Sequence, residues 1–267
     1  MRATGLTASL RNISIFVCGV MTLATLGAFL ILQGIEAGGL LFVLSPALMA
    51  LGLRSFGGDG WSDSAIAPNI RGNGGEYLRL ILLFPVAYFL VGLLGQMSGV
   101  FKFGPDTAGK ILAVAGAQAI PLFLFALAEE IGWRGYLYPK LNALGISAGR
   151  RDLIITLVWA SWHIPYFALA QNFHGLPVWQ FAGLFVLSIY VTTVIYGYVQ
   201  ERTRSIWPMV FSHTILGVLS APFADAKLAT VSQQPFLALR PEAIAVILIQ
   251  LLFLLWLRGR QRKYKRS

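Results

Sequence analysis

Long apolar runs separated by short polar stretches dominate this chain. Eight such spans can be read, at approximately 13–33, 38–53, 78–99, 111–133, 153–170, 179–199, 206–222 and 243–257. A helix needs about 20 apolar residues to cross a hydrocarbon core, within a range of about 17–25. The pattern therefore predicts an all-α, polytopic membrane protein with about eight transmembrane helices in a single transmembrane domain over 1–267. The second and last spans are short, so their ends are the least defined. The first span is too long for the apolar core of a typical signal peptide, and no small-residue cleavage site clearly follows it. It reads as a retained anchor.

The cations divide unevenly between alternate connections. With both termini cytoplasmic, seventeen of the 21 Lys and Arg residues fall in inside segments and four (Lys102, Lys110, Lys227 and Arg240) fall outside. Such asymmetry orients membrane helices, and it supports an even number of spans with both ends inside. The basic tail, 258–267, follows the last span directly and reads as an anchor at an anionic lipid surface.

Composition narrows the class further. Apolar residues make up 57% of the chain and charged residues 12%, with a mean hydropathy of +0.70. A soluble domain would carry about a quarter charged residues. The net charge of +10 could point to nucleic acid, but the cations lie between apolar spans and at the C-terminus, so no nucleic-acid partner is expected. The single cysteine, Cys18, excludes an intrachain disulfide and a cysteine metal cluster. Gly57–Gly75 is the longest polar stretch. It has no phosphate-loop lysine and reads as a flexible connector.

Two of only eleven acidic residues, Glu129 and Glu130, continue the apolar run that starts at Ile111. Carboxylates placed near or within hydrocarbon are expensive and are usually paired, inward-facing and functional. Successive residues on a helix point about 100° apart. Arg134 lies four residues after Glu130, so these two can pair, which leaves Glu129 without a local cation. A carboxylate of that kind suits a general base. The bland alternative is an ion pair that fixes helix packing.

Two later spans each supply one histidine. His163 lies in Trp159-Ala-Ser-Trp-His163-Ile-Pro165, with Trp159 one turn earlier on the same face and Pro165 positioned to kink the helix. His213 lies in Ser212-His213-Thr214-Ile-Leu-Gly217. Either histidine alone could be an interhelical hydrogen bond. Their depths, roughly 10–15 Å at about 1.5 Å per residue, let both converge with Glu129 on the cytoplasmic half. His174 falls in a short external loop and reads as bystander surface.

Glu129-Glu130-x-x-x-Arg134 resembles the first motif of the CAAX protease and bacteriocin-processing family of intramembrane proteases (CPBP, also called Abi). Trp159-x-x-x-His163 is similar to the second motif, with Trp where Phe is usual. His213-x-x-x-Gly217 is similar to the third, but Gly217 replaces the family asparagine. The resemblance covers roughly 78–222, and the glutamate motif is its most specific part.

The resemblance implies an intramembrane endopeptidase that cleaves near the cytoplasmic face. Glu129 and His163 would activate a water, and His213 would donate to the oxyanion. Glu130 and Arg134 would order the site, with Trp159 in support. The implied substrate is a membrane-associated peptide or protein, in some members prenylated. The expected location is the inner (plasma) membrane of a bacterial cell, in contact with membrane lipid. No cofactor is expected. The alternative is Zn²⁺ held by Glu129, His163 and His213, although these lack the compact His-Glu-x-x-His arrangement. Gly217 has no side-chain donor for the oxyanion, so Ser212, Thr214 or a water would have to substitute, or activity is weak. Two other functions stay open. One is a catalytically idle member serving as an immunity or scaffold protein. The other is a proton-coupled transporter with Glu129, His163 and His213 as a relay.

Overall fold

The computed structural model describes residues 2–171, 173–224 and 235–264. Its order is α1 (Arg2–Leu32), α2 (Ala37–Ser55), α3 (Gly74–Met97), α4 (Thr107–Gly132), a π-helical turn (Trp133–Leu137), α5 (Tyr138–Ala143), α6 (Ala148–Trp162), α7 (Ile164–Ala170), α8 (Val178–Thr203), α9 (Trp207–Ala224) and α10 (Ile244–Tyr264). No strand occurs among the described residues. The π turn joins α4 to α5, and α7 continues α6, so the described residues form eight helical rods. Six of them are long and apolar enough to cross a membrane. The other two of the eight predicted spans correspond to α9 and α10. The protein is an integral, multi-pass membrane protein. Lys227 and residues 265–267 of the basic tail lie outside the described residues.

The long helices bury only part of their surface and leave apolar side chains such as Phe89, Leu112 and Ile120 on the outside. In a soluble protein such a surface would be an aggregation liability; against lipid it is the required face. Inside, one apolar cluster joins α3, α8 and α10 around Phe84, Ile195 and Val246. A second joins α1, α2, the π turn and α6 around Phe16, Trp133 and Trp162. α4 packs along α9 and against α2, and α6 packs along α8. Those pairings bring the glutamates to the two histidine-bearing helices.

Glycine sets the closest approaches. A Cβ on Gly27 would sit 2.5 Å from Gly38 O, and one on Gly38 would sit 2.3 Å from Gly27 O, so α1 and α2 cross backbone to backbone. A Cβ on Gly132 would lie 2.3 Å from Pro46 Cβ and 2.9 Å from its carbonyl carbon, which presses the end of α4 onto α2.

The connector 56–73 is built differently from the flexible segment its composition predicts. Asp59 accepts from the Tyr136 hydroxyl at 2.6 Å, and Asp63 pairs with Arg54 at 2.7 Å and Lys140 at 3.1 Å. Ala65 O accepts from Ile206 N, Ile66 O from the Trp207 indole, and Asn69 donates to Thr203 O and Arg204 O. Polar composition marked a loop correctly, but its acids and carbonyls are tied to fixed partners on four helices. Burial alone would raise the pKa of Asp63. Hydrogen bonds and charge from Arg54 and Lys140 outweigh that and hold its carboxyl below the ordinary value.

Candidate active site

The glutamates stand on the last turn of α4, immediately before the π turn. A π turn widens the helix by one residue and recurs at functional sites. Its carbonyls are taken up by other elements. Arg134 O accepts from Gln200 Nε2 at 2.7 Å, and Gly135 O accepts from both Arg54 Nε, at 3.1 Å, and Arg54 Nη2. Arg54 is buried at 3% exposure, so this topology cation is also a structural clamp.

Glu130 is fully buried. Its Oε1 accepts from Arg134 Nη1 at 3.1 Å, as the four-residue spacing predicts, and lies 3.0 Å from His213 Nδ1. The Arg134 guanidinium is sandwiched, with Cζ 4.5 Å from the Trp159 ring and 4.8 Å from the Tyr196 ring. The two rings hold the cation in place and offer it a favourable electrostatic face.

Glu129 is also buried, and it has closer company than the spacing argument gave it. Trp159 donates its indole N–H to Glu129 Oε2 at 2.8 Å, and Trp133 donates to the same oxygen at 3.4 Å. The other oxygen, Oε1, lies 3.9 Å from His213 Nε2. Two carboxylates therefore face one arginine and one histidine, and a doubly protonated His213 would balance the cluster.

His163 occupies the break between α6 and α7. Pro165 lies in the first turn of α7, and the His163 peptide caps both helices: its N–H bonds to Ala160 O, and its carbonyl accepts from Phe167 N. His163 Nδ1 is 2.9 Å from Trp159 O. A carbonyl can only accept, so Nδ1 carries the proton, and Nε2 of neutral His163 is the basic nitrogen.

A pocket of about 110 Å³ is lined by Trp159, His163, Thr192, Tyr196, His213 and Leu216. Phe185 also lines it, and on its other side Phe185 borders an apolar cavity of about 390 Å³ between α6, α7 and α8, walled by Leu157, Ile164, Phe167 and Phe181. Gly217 does not line the pocket. Its Cβ direction points to Leu122 on α4, at 3.3 Å. The candidate metal ligands Glu129, His163 and His213 do not form a three-residue cluster placed to hold an ion, and no such cluster exists among the described residues.

Residues 112–219 match the family described as type II CAAX prenyl endopeptidase Rce1-like. Over this segment the chain is similar to that family. The matched segment includes all three motifs, from Glu129 to Gly217, and with it the whole of the pocket wall except Pro241. A search of curated proteins finds no match.

The family's motifs do not include Trp133, Arg54, Gln200 or Tyr196. Trp133 was legible, since it is four residues after Glu129 and so on its face. Arg54, Gln200 and Tyr196 reach the site from distant helices, and no local pattern marks them. His174, read as bystander surface, lies 3.5 Å from Glu242, whose carboxylate also meets Arg240 at 3.2 Å. Burial, followed by the Arg240 charge, lowers its pKa to about 4.

Proposed function

We propose that the protein is a glutamate-dependent intramembrane endopeptidase that hydrolyses a peptide bond near the cytoplasmic face of the bacterial inner membrane, with both termini in the cytoplasm. The observation that carries this reading is the arrangement of Glu129. Two indole donors fix one of its oxygens, and the other faces His213 beside a small pocket.

In this mechanism a water sits in the pocket between Glu129 and the His163 Nε2 atom. Glu129 takes its proton as the water oxygen bonds to the scissile carbonyl carbon. The carbonyl electron pair moves to oxygen, and His213 donates to that oxyanion through Nε2–H. Because Nδ1–H is committed to Glu130, donation through Nε2 uses the doubly protonated ring. The tetrahedral adduct then collapses, the C–N bond breaks and the amine takes the proton from Glu129. Oxyanion donation of this kind is worth about 3–4 kcal/mol. No step runs through a metal.

The adjoining apolar cavity fits a lipid chain, which supports a lipidated, membrane-associated peptide as substrate. Gly217 favours one competing reading, an idle family member serving as an immunity or scaffold protein. The decisive assay is incubation of purified protein in detergent with a farnesylated peptide ending in a CAAX tetrapeptide, with and without a strong chelator. Release of the C-terminal tripeptide that persists with chelator and is lost in Glu129→Gln is expected. A folded protein that cleaves nothing would favour the scaffold, and pH-linked flux in vesicles would favour a transporter.

A further inference from the structure

The wall of the 110 Å³ pocket carries several polar groups, but nearly all have committed their protons. Ser188 donates to Pro241 O at 2.9 Å, and Thr192 donates to Gln250 Oε1 at 2.9 Å. The Trp159 indole serves Glu129, His163 Nδ1 serves Trp159 O, and His213 Nδ1 serves Glu130. Thr214, beside the motif histidine, donates to Val210 O at 2.7 Å. One residue of the wall, Tyr196, keeps an uncommitted hydroxyl. It is fully buried and makes no hydrogen bond of normal geometry. The neighbouring Ser212 hydroxyl is in the same condition. If Ser212 donated to the phenolic oxygen, the phenolic proton would still be free for the pocket.

Burying a hydroxyl without a partner costs about 1–3 kcal/mol, so this one needs an explanation. The Tyr196 ring is held face-on to the Arg134 guanidinium, which fixes its direction and draws electron density from it. An O–H in that setting is a strengthened donor. Meanwhile position 217 offers nothing: it is glycine and is turned toward Leu122.

We propose that the Tyr196 hydroxyl is the second oxyanion donor of this enzyme, taking the role that the asparagine of the third motif would play. The assignment rests on the peptidase reading. When water attacks, the carbonyl π pair becomes the oxyanion lone pair. Tyr196 donates a hydrogen bond to it alongside His213 and keeps its own proton throughout, so the proton balance among water, Glu129 and the amine is unchanged. The group serves a neutral amide carbonyl poorly and a full oxyanion well, which is the differential that accelerates a reaction.

The test is Tyr196→Phe, assayed on the farnesylated CAAX peptide. Removing one oxyanion donor typically costs about 10²–10³ in kcat. The expected result is a fall of about 100-fold in kcat, with KM close to wild type and a thermal midpoint at or above it, because the variant removes a buried hydroxyl that has no partner. Unchanged kcat, or a lowered midpoint with kcat preserved, would overturn the assignment while leaving the peptidase reading standing. Inactivity of the wild type would overturn both. If Tyr196→Phe does not fold, 3-fluorotyrosine at position 196 keeps the ring and the hydroxyl. Its fluorine resonance should shift when a peptidyl phosphinate, a tetrahedral oxyanion mimic, is added. No shift at saturating phosphinate would reject the role.

Discussion

Trp159 on α6 donates its indole N–H to Glu129 on α4 across 2.8 Å, thirty residues away in sequence. This one bond ties the second motif to the first, and it exists because tryptophan stands where phenylalanine is usual. A phenylalanine would fill the same space and leave the carboxylate without its shorter donor.

Trp159→Phe should therefore keep the fold and reduce turnover. Hydrogen bonds to charged groups are worth about 1.5–3 kcal/mol, which corresponds to a fall in kcat of about 10- to 100-fold if the lost orientation of Glu129 is felt in the transition state. Trp133→Phe, which removes the longer contact, should lose less. Steady-state kinetics on the farnesylated peptide would rank them, and the reverse order would refute this account.

Glu129 and Glu130 should separate cleanly. Glu129→Gln should remove turnover and leave the thermal midpoint near wild type. Arg134→Ala strands the fully buried Glu130 with only His213, and breaking a buried pair costs about 3–5 kcal/mol; midpoint and activity should drop together. Glu130→Gln strands Arg134 and should behave likewise. Detergent melting curves beside activity would check this. A stable, inactive Glu130→Gln with an active Glu129→Gln would exchange the two roles.

The clasp of Arg54, Asp63 and Lys140 predicts an acid-side loss of stability. The folded-state pKa of Asp63 is depressed below the ordinary 3.8. Its contribution is therefore full above that value and is lost as the pH falls through the lower folded-state value. Asp63→Asn should lower the thermal midpoint at neutral pH and flatten its decline in strong acid. Parallel acid-side declines in wild type and variant would show that the clasp contributes nothing there.

Two glycines should respond to substitution in proportion to what they face. Gly132→Ala drives a methyl into the α2 backbone at Pro46 and should destabilise by about 1–3 kcal/mol, the ordinary cost of overpacking. Gly217→Asn meets the flexible end of Leu122 instead, so it should fold. Its side chain starts toward α4, away from the pocket, and turnover should not rise. A gain in kcat for Gly217→Asn would show that position 217 can serve the oxyanion after all.

Topology gives the remaining prediction. The cation asymmetry supports the proposed placement of both ends in the cytoplasm, on which reporter fusions at Ser267 and in the loop near Gly175 should report opposite sides. The same side for both would require an odd number of crossings between them to be wrong.

The helical class, the approximate spans and the Glu130–Arg134 pair were all legible, because each depends on local periodicity. The break at His163 was legible for the same reason: Pro165 cannot continue α6. The depths of His163 and His213 brought both to the level of Glu129, but which atoms meet across helices stayed hidden. The atom that meets Glu130 besides Arg134 is His213 Nδ1, which arrives from α9. The tethering of the 56–73 connector depends on Tyr136, Lys140 and Asn69 meeting partners that no window of sequence contains. The direction of Gly217 could not be read from its spacing to His213 alone, since sharing a helical face does not say which neighbour occupies that face.

The π turn at Trp133–Leu137 has a consequence of its own. One surplus residue there resets the phase between the glutamate turn and everything that follows it by about 100°. Deleting a single residue from this turn would relax it into ordinary helix without removing any catalytic group. The glutamates would then be swung out of line with Arg54, Gln200 and the anchored connector. The bearing of the active site is thus set by a count of residues as much as by their identity. Alterations in chain length here should be far more damaging than most substitutions at the same positions.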